Sequence, residues 1–138
     1  MAGDCILAID QGTTNTKGLL FDGKGDAIFK TASSVSLIQP QAGYIEQDPL
    51  ELWHSTLDVL QACAAHAAEA ATRIVGIAIA NQRETSVAWR AAKGSSPAGK
   101  PVCNAISWQC RRSEPVCEAL RDFAGLFQDR TGLPLDPL

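Results

Sequence analysis

The stretch AIDQGTTNTKG, residues 8–18, takes an apolar run to a carboxylate and then crowds a glycine, three threonines, an asparagine and a lysine into one bend. Upstream, Cys5 to Ile9 has the character of a buried strand, and downstream Thr16 to Asp22, centred on GLLF, reads as a second. The bend between them has two readings. One is a hairpin turn whose polar side chains face water. The other is a cradle for phosphate and a divalent cation. Asp10, at the end of a buried strand, can hold magnesium directly or through its waters. Gly12 lets the backbone approach a phosphate, and Thr13, Thr14 and Asn15 supply hydroxyl and amide groups. The N–H groups of such a turn can form an anion-binding nest, and Lys17 adds a positive charge. These few residues leave both readings open.

Working outward, DGKGD at 22–26 is a hairpin signal, because Asp-Gly supplies the positive φ that tight turns need. Ala27 to Ser36 then reads as a third strand. The opening is therefore an antiparallel meander, unlike the strand-helix-strand opening of a dinucleotide fold. After a loop at IQPQAGYIEQ, a helix start is marked by Asp48 as cap, Pro49 in the first helical position and Glu51 three residues after the cap. Leu50, Trp53, Leu57, Leu60 and Ala64 recur at helical spacing and predict its apolar face. His54 and His66 flank that stripe as surface or half-buried residues without a partner at ligand spacing. RIVGIAIA is almost wholly apolar and reads as a strand covered on both faces. ETSVAWR and VCNAISW read as further strands, AAKGSSPAGKP and RTGLPLDPL as loops. RRSEPVCEALRDFAGLF is helical in parts, with Pro115 in a first turn that Ser113 can cap. A helix between the meander and the apolar strand makes the fold α/β.

The 138 residues suit about one domain, and 46% hydrophobic with 20% charged residues is the balance of a soluble globular protein. A net charge of -3 gives no reason to expect nucleic-acid or membrane partners. The longest apolar stretch, DVLQACAAHAAEAA, is too polar to span a bilayer. The amino terminus lacks the pattern of a signal peptide, so a cytoplasmic location is expected. The five cysteines include no Cys-x-x-Cys pair. The even spacing of Cys103, Cys110 and Cys117 fits no common zinc site, and reduced, packed thiols are expected.

Two further stretches can carry chemistry. ANQRETS leaves the apolar strand and sets Arg83 beside Glu84. A guanidinium donates a fork of hydrogen bonds and a carboxylate accepts several, so the pair can grip the hydroxyls of a small polyol. The alternative is a solvated turn. In SWQCRRSE, Trp108 can wall a pocket or join the core, while Arg111 and Arg112 can bind anions, join structural pairs or face solvent.

Taken together and in order, AIDQGTTNTKGLLFD, GYIEQDPLELW, GIAIANQRETSVAW, NAISWQCRR and TGLPLDP resemble the amino-terminal part of the FGGY carbohydrate kinases, in their glycerol kinase branch, from about Cys5 to Pro137. The first stretch is shared with the wider actin-like ATPases; NQRET with WQCRR is the more specific. The resemblance implies a ribonuclease H-like, actin-like ATPase fold with a mixed sheet and flanking helices. Residues 1–138 would be part of the first of two domains, the second being absent from this chain, with ATP bound between them. By the same resemblance Asp10 would help hold magnesium. Gly12, Thr13, Thr14, Asn15 and Lys17 would form the nucleotide phosphate turn, and Arg83 and Glu84 would hydrogen-bond glycerol. The general-base aspartate is expected downstream of this chain. Relatives are often dimers or tetramers, which implies a homo-oligomer at full length.

Two positions depart from the pattern. Lys17 stands where glycerol kinases usually carry arginine, and Leu138 where they carry an aromatic residue at the polyol pocket. The leading expectation is ATP-dependent phosphorylation of a small polyol, glycerol first and a tetritol or pentitol second. The chain would be an incomplete amino-terminal portion, inactive alone. The rivals are a polyol- or phosphate-binding module without turnover, if 138 residues is the natural length, and a chaperone-type ATPase, which gives NQRET no role.

Overall fold

Three strands and a long helix build the frame of the computed structural model, which describes residues 3–92 and 99–137. Strand β1 (Asp4–Gln11) pairs antiparallel with β2 (Asn15–Asp22), and β2 with β3 (Ala27–Ser34), so the expected meander is present. The β2–β3 turn forms as expected, but its positive φ falls on Gly25, at 88°, rather than on the Asp-Gly step. The reason is local: Asp22 turns its carboxylate back to accept from the N–H groups of Lys24 and Asp26, at 2.9 and 3.0 Å. Those two bonds hold the Asp22 carboxyl below its ordinary value.

Helix α1 (Pro49–Glu69) starts where the capping residues predict. Asp48 accepts from the Leu50 N–H at 2.8 Å, and Pro49 takes the first turn. Glu51 does not reach back to the cap. It accepts instead from the N–H and hydroxyl of Ser36, at 3.1 and 2.8 Å, tying the helix to the chain that leaves β3. The face that α1 buries differs from the expected one. Leu50 and Trp53 are exposed, whereas Ser55, Val59, Cys63 and Ala67 are buried. These four recur every fourth residue, so they form one stripe. They are small because the helix lies close on the sheet at Gly18, where a Cβ would come within 2.8 Å of Cys63 Sγ. The core joins this stripe to Cys5, Leu7, Ile9 and Leu20, with Phe29 and Leu60 packed against it. His66 stacks on Phe29 at 4.2 Å between centroids, while His54 is exposed.

Strand β5 (Arg73–Asn81) follows α1 and lies parallel to β1, giving the order β3-β2-β1-β5. It is not covered on both faces. Val75, Ile77 and Ile79 are 53%, 57% and 72% exposed, because β5 lies at the sheet's outer side while α1 packs on the meander. The remaining elements are short. Strand β4 (Glu46–Gln47) pairs with β8 (Ala105–Ile106), and β6 (Trp89–Arg90) with β7 (Lys100–Pro101). The strands expected at ETSVAWR and VCNAISW therefore shrink to two residues each, joined by a bridge between Ser86 and Ile106. The loop expected at AAKGSSPAGKP lies partly outside the described residues, and its end enters β7.

Helix α2 (Glu114–Ala119) carries Pro115 in its first turn, and a 3-10 turn at Arg121–Phe123 leads into α3 (Ala124–Thr131), which ends at Gly132 with φ 74°. Ser113 does not cap α2; its hydroxyl donates to the Pro137 carbonyl at 2.9 Å, fastening the segment after α3. The cysteines are free thiols, with Cys5, Cys63 and Cys110 buried. Burial, then the neighbouring Cys5, pushes the Cys63 thiol up. Among the described residues no cluster of three or more His, Cys, Asp or Glu could hold a metal, and no helix is long and apolar enough to cross a membrane.

Candidate active site

Parallel pairing of β1 and β5 brings two loops together. The register sets Asp10 beside Ala80 and Gln11 beside Asn81, so both strands end at the same side of the sheet. The bend after β1 and the NQRET loop after β5 thus face one cleft of about 690 Å³, a size suited to small-molecule ligands. Asp10, Gly12, Thr13, Arg83, Glu84 and Trp108 line it.

Each expected site residue has a definite place. The Asp10 carboxylate is half-exposed and lies 4.0 Å from Lys17 Nζ, its cross-strand partner. Lys17, expected in the phosphate turn, does not line the cleft. Gly12 N–H donates to the Asn15 carbonyl at 3.0 Å, and a Cβ on Gly12 would meet that same oxygen at 3.0 Å. A side chain would thus crowd the tight turn, and the Gly12 N–H is engaged within the bend. Thr13 faces the cleft, while Thr14 and Asn15 lie at the exposed tip, where the Asn15 amide donates to the Thr14 hydroxyl at 3.1 Å.

Arg83 and Glu84 are exposed, and among the described residues neither has an ion-pair partner, so both remain available to a ligand. Glu84 has φ 63°, in the left-handed region. For a residue with a side chain this costs on the order of 1–3 kcal/mol and persists only where neighbours impose it.

Gln47 and Gln82 support the site without having been marked in the sequence, whereas Trp108 lines the cleft, one of its two expected places. The fully buried Gln47 donates from Nε2 to the Thr13 carbonyl at 2.8 Å, and the Trp108 indole N–H donates to the Thr13 hydroxyl at 2.9 Å. With that lone pair engaged, the Thr13 O–H is left to donate toward the cleft. Gln82 bridges the two loops: its N–H donates to the Gln11 carbonyl at 2.8 Å and its Nε2 to Gln11 Oε1 at 3.1 Å. Of the paired arginines, Arg112 is structural. Its guanidinium donates to Glu46 at 2.6 Å and to Cys110 Sγ at 2.9 Å, and lies 4.4 Å over the Tyr44 ring. The Arg112 hydrogen bond, then that from Asn104, holds the Glu46 carboxyl below its ordinary value. Burial raises the Cys110 thiol, but bonds from the Ile45 backbone and Arg112 outweigh it and leave it lowered. Arg111 pairs with Asp136 at 3.5 Å and Glu114 at 3.7 Å, and Asp136 with Leu133 and Pro134 closes the far wall of the cleft. The expectation on Leu138 lies outside the described residues.

Comparison with known proteins places this geometry. Residues 5–138 match the FGGY family of carbohydrate kinases, N-terminal domain. A glycerol kinase of Shewanella amazonensis is 41% identical over 134 residues, which are 96% of this chain and 26% of that protein. Glycerol kinase 2 of Thermotoga maritima is 38% identical over 95% of this chain and 26% of its own length. The chain thus spans about a quarter of these relatives, 26% of each. Among solved structures, Plasmodium falciparum glycerol kinase with ADP superposes with a TM-score of 0.88 at 25% identity, over 99% of this chain and 27% of that one. A gluconate kinase from Lactobacillus acidophilus shares the fold at a TM-score of 0.83. The meander, the parallel return of β5 and the cleft at the strand ends are those of an actin-like ATPase fold, and the chain belongs to the FGGY family of carbohydrate kinases.

Proposed function

We propose that this chain is the amino-terminal portion of an ATP-dependent polyol kinase whose substrate is glycerol. The observation that carries this is the shared cleft: the Asp10–Thr13 bend and the Arg83–Glu84 pair line one cavity. The glycerol kinases at 41% and 38% identity support the choice of polyol, and their greater length supports a longer native polypeptide.

In this reading Arg83 donates to, and Glu84 accepts from, neighbouring hydroxyls of the polyol, which orients one primary hydroxyl toward the bend after β1. The Thr13 hydroxyl donates to a phosphate oxygen. Asp10 suits a magnesium ion held by one carboxylate, its own waters and nucleotide phosphates, the usual manner for this cation. The ion, when bound, neutralises charge on the transferring phosphoryl group. Lys17, the cross-strand neighbour 4.0 Å away, helps to aim the Asp10 carboxylate. Gln82 and Trp108 hold the two loops at a fixed separation, so that hydroxyl and phosphoryl group meet in line. The general base and the adenine pocket belong to the remainder of the longer protein.

The test is a panel of glycerol, tetritols and pentitols, assayed for ATP-dependent phosphorylation with the intact native polypeptide and magnesium. Glycerol is expected to give the highest kcat/KM. Phosphorylation of none of these polyols would sink the reading, and preference for a longer polyol would overturn its substrate. Glu84→Gln removes a charge-assisted hydrogen bond of about 1.5–3 kcal/mol and should raise the glycerol KM on the order of 10-fold to 100-fold.

A further inference from the structure

Arg83 and Glu84 are aimed by the chain on either side of them. On one side Gln82 is pinned to Gln11 through its N–H and its side chain. On the other, Ser86 exchanges backbone hydrogen bonds with Ile106, both at 2.9 Å. Between these anchors Glu84 occupies its left-handed conformation. One side chain closes the gap. The Thr85 hydroxyl donates to Gln82 Oε1 at 2.9 Å and accepts from the Trp108 N–H at 3.2 Å. It therefore clamps residue 82 to residue 85 across the strained position and ties both to the segment that carries Trp108. Thr85 is half-buried and does not itself line the cleft.

We propose that Thr85 is a positioning residue, which locks Glu84 in the left-handed conformation and so sets the aim of the Arg83–Glu84 pair at its polyol. The part concerning polyol rests on the kinase reading above; the lock does not. Two substitutions separate them. Thr85→Val keeps the side-chain volume and removes both hydrogen bonds, while Thr85→Ser keeps the hydroxyl. In the intact native polypeptide, Thr85→Val should raise the glycerol KM by up to about thirtyfold, the fold-change for two lost hydrogen bonds of ordinary strength, and leave the KM for ATP unchanged. Thr85→Ser should restore the glycerol KM. A purely structural role would instead lower kcat by loss of folded protein, with both KM values unchanged, and that result would overturn the positioning role.

The lock is tested without turnover by urea unfolding of the same polypeptide. Glycine adopts positive φ without strain, so Glu84→Gly relieves the loop only where Thr85 still imposes the conformation. Its effect on the unfolding midpoint should be more favourable in the parent than in Thr85→Val, whose loop has already relaxed. The same shift in both backgrounds would overturn the lock. A parent that phosphorylates no polyol but shows this coupling would retain the lock and discard the kinase reading.

Discussion

Replacing Gly18 with alanine tests how closely α1 lies on the sheet. The backbone at Gly18 is outside the positive-φ region, so alanine meets no conformational penalty there. Space is the obstacle. The added Cβ would sit 2.8 Å from Cys63 Sγ, 3.2 Å from Val59 Cβ and 3.4 Å from Thr31 Cγ2, on both the helix and β3. Unstrained contacts between such atoms lie at about 3.5–4.0 Å, so the helix would have to retreat by several tenths of an ångström. Overpacking of this kind costs about 1–3 kcal/mol. Against it, alanine restricts the unfolded chain and returns about 0.4–1 kcal/mol. The packing cost wins, and a net loss of roughly 1–2 kcal/mol is expected, which for a domain of this size lowers Tm by roughly 3–10 °C. Thermal and urea unfolding followed by circular dichroism would measure it. Cys63→Ala supplies the control, because it removes the nearest atom. In that background the cost of Gly18→Ala should fall by about 1 kcal/mol. A neutral Gly18→Ala, or strictly additive costs in the double variant, would refute the close approach.

Three other perturbations have a predicted sign. Ser55 donates its hydroxyl to the Leu52 carbonyl and therefore accepts from Thr16, at 2.7 Å in a fully buried pair. Ser55→Ala strands the Thr16 O–H and should cost about 1–3 kcal/mol, more than Thr16→Val, which strands no donor; equal costs in urea unfolding would reverse the assigned direction. Asp48→Ala removes the cap of α1 and should lower stability by about 1 kcal/mol, whereas Asp48→Asn should be nearly silent in the same assay. Glu46 is held below the ordinary carboxyl value of 4.5 by Arg112, so its contribution is complete above that pH and is lost as pH falls through the lowered value. Glu46→Gln should therefore be less stable at neutral pH, with the two proteins converging in acid unfolding; a gap that persists at low pH would contradict the assignment.

The places where pattern reading misjudged the structure share a cause. Periodicity marked Leu50, Trp53, Leu57, Leu60 and Ala64 as the face of α1, since large apolar residues dominate any hydrophobic stripe, and of these Leu60 does pack against the core. The buried face runs instead through Ser55, Val59, Cys63 and Ala67, whose small size matters only once the helix meets Gly18, some forty positions earlier in the chain. Likewise RIVGIAIA has the composition of a strand covered on both sides, yet its position outside β1 leaves Ile77 and Ile79 exposed. Ser113 has the identity of a cap, but the Pro137 carbonyl claims its hydroxyl. In each case a partner distant in sequence outweighs a local preference.

Local chemistry, by contrast, was enough for the meander, because apolar runs separated by DQGTT and DGKGD have few ways to fold other than back on themselves. It was enough for the start of α1, because Asp48 and Pro49 act on the backbone next to them. It also marked Asp10, Thr13, Arg83 and Glu84 as residues with chemistry to offer. Their meeting could not be read from the chain. Only the tertiary structure sets β5 parallel to β1 in the register that ends both strands together, and only there do Gln82, Thr85 and Trp108 become the struts between two loops. The physical reason is range: turns and caps act over a few residues, whereas strand register is decided by burial and pairing across some seventy positions of chain.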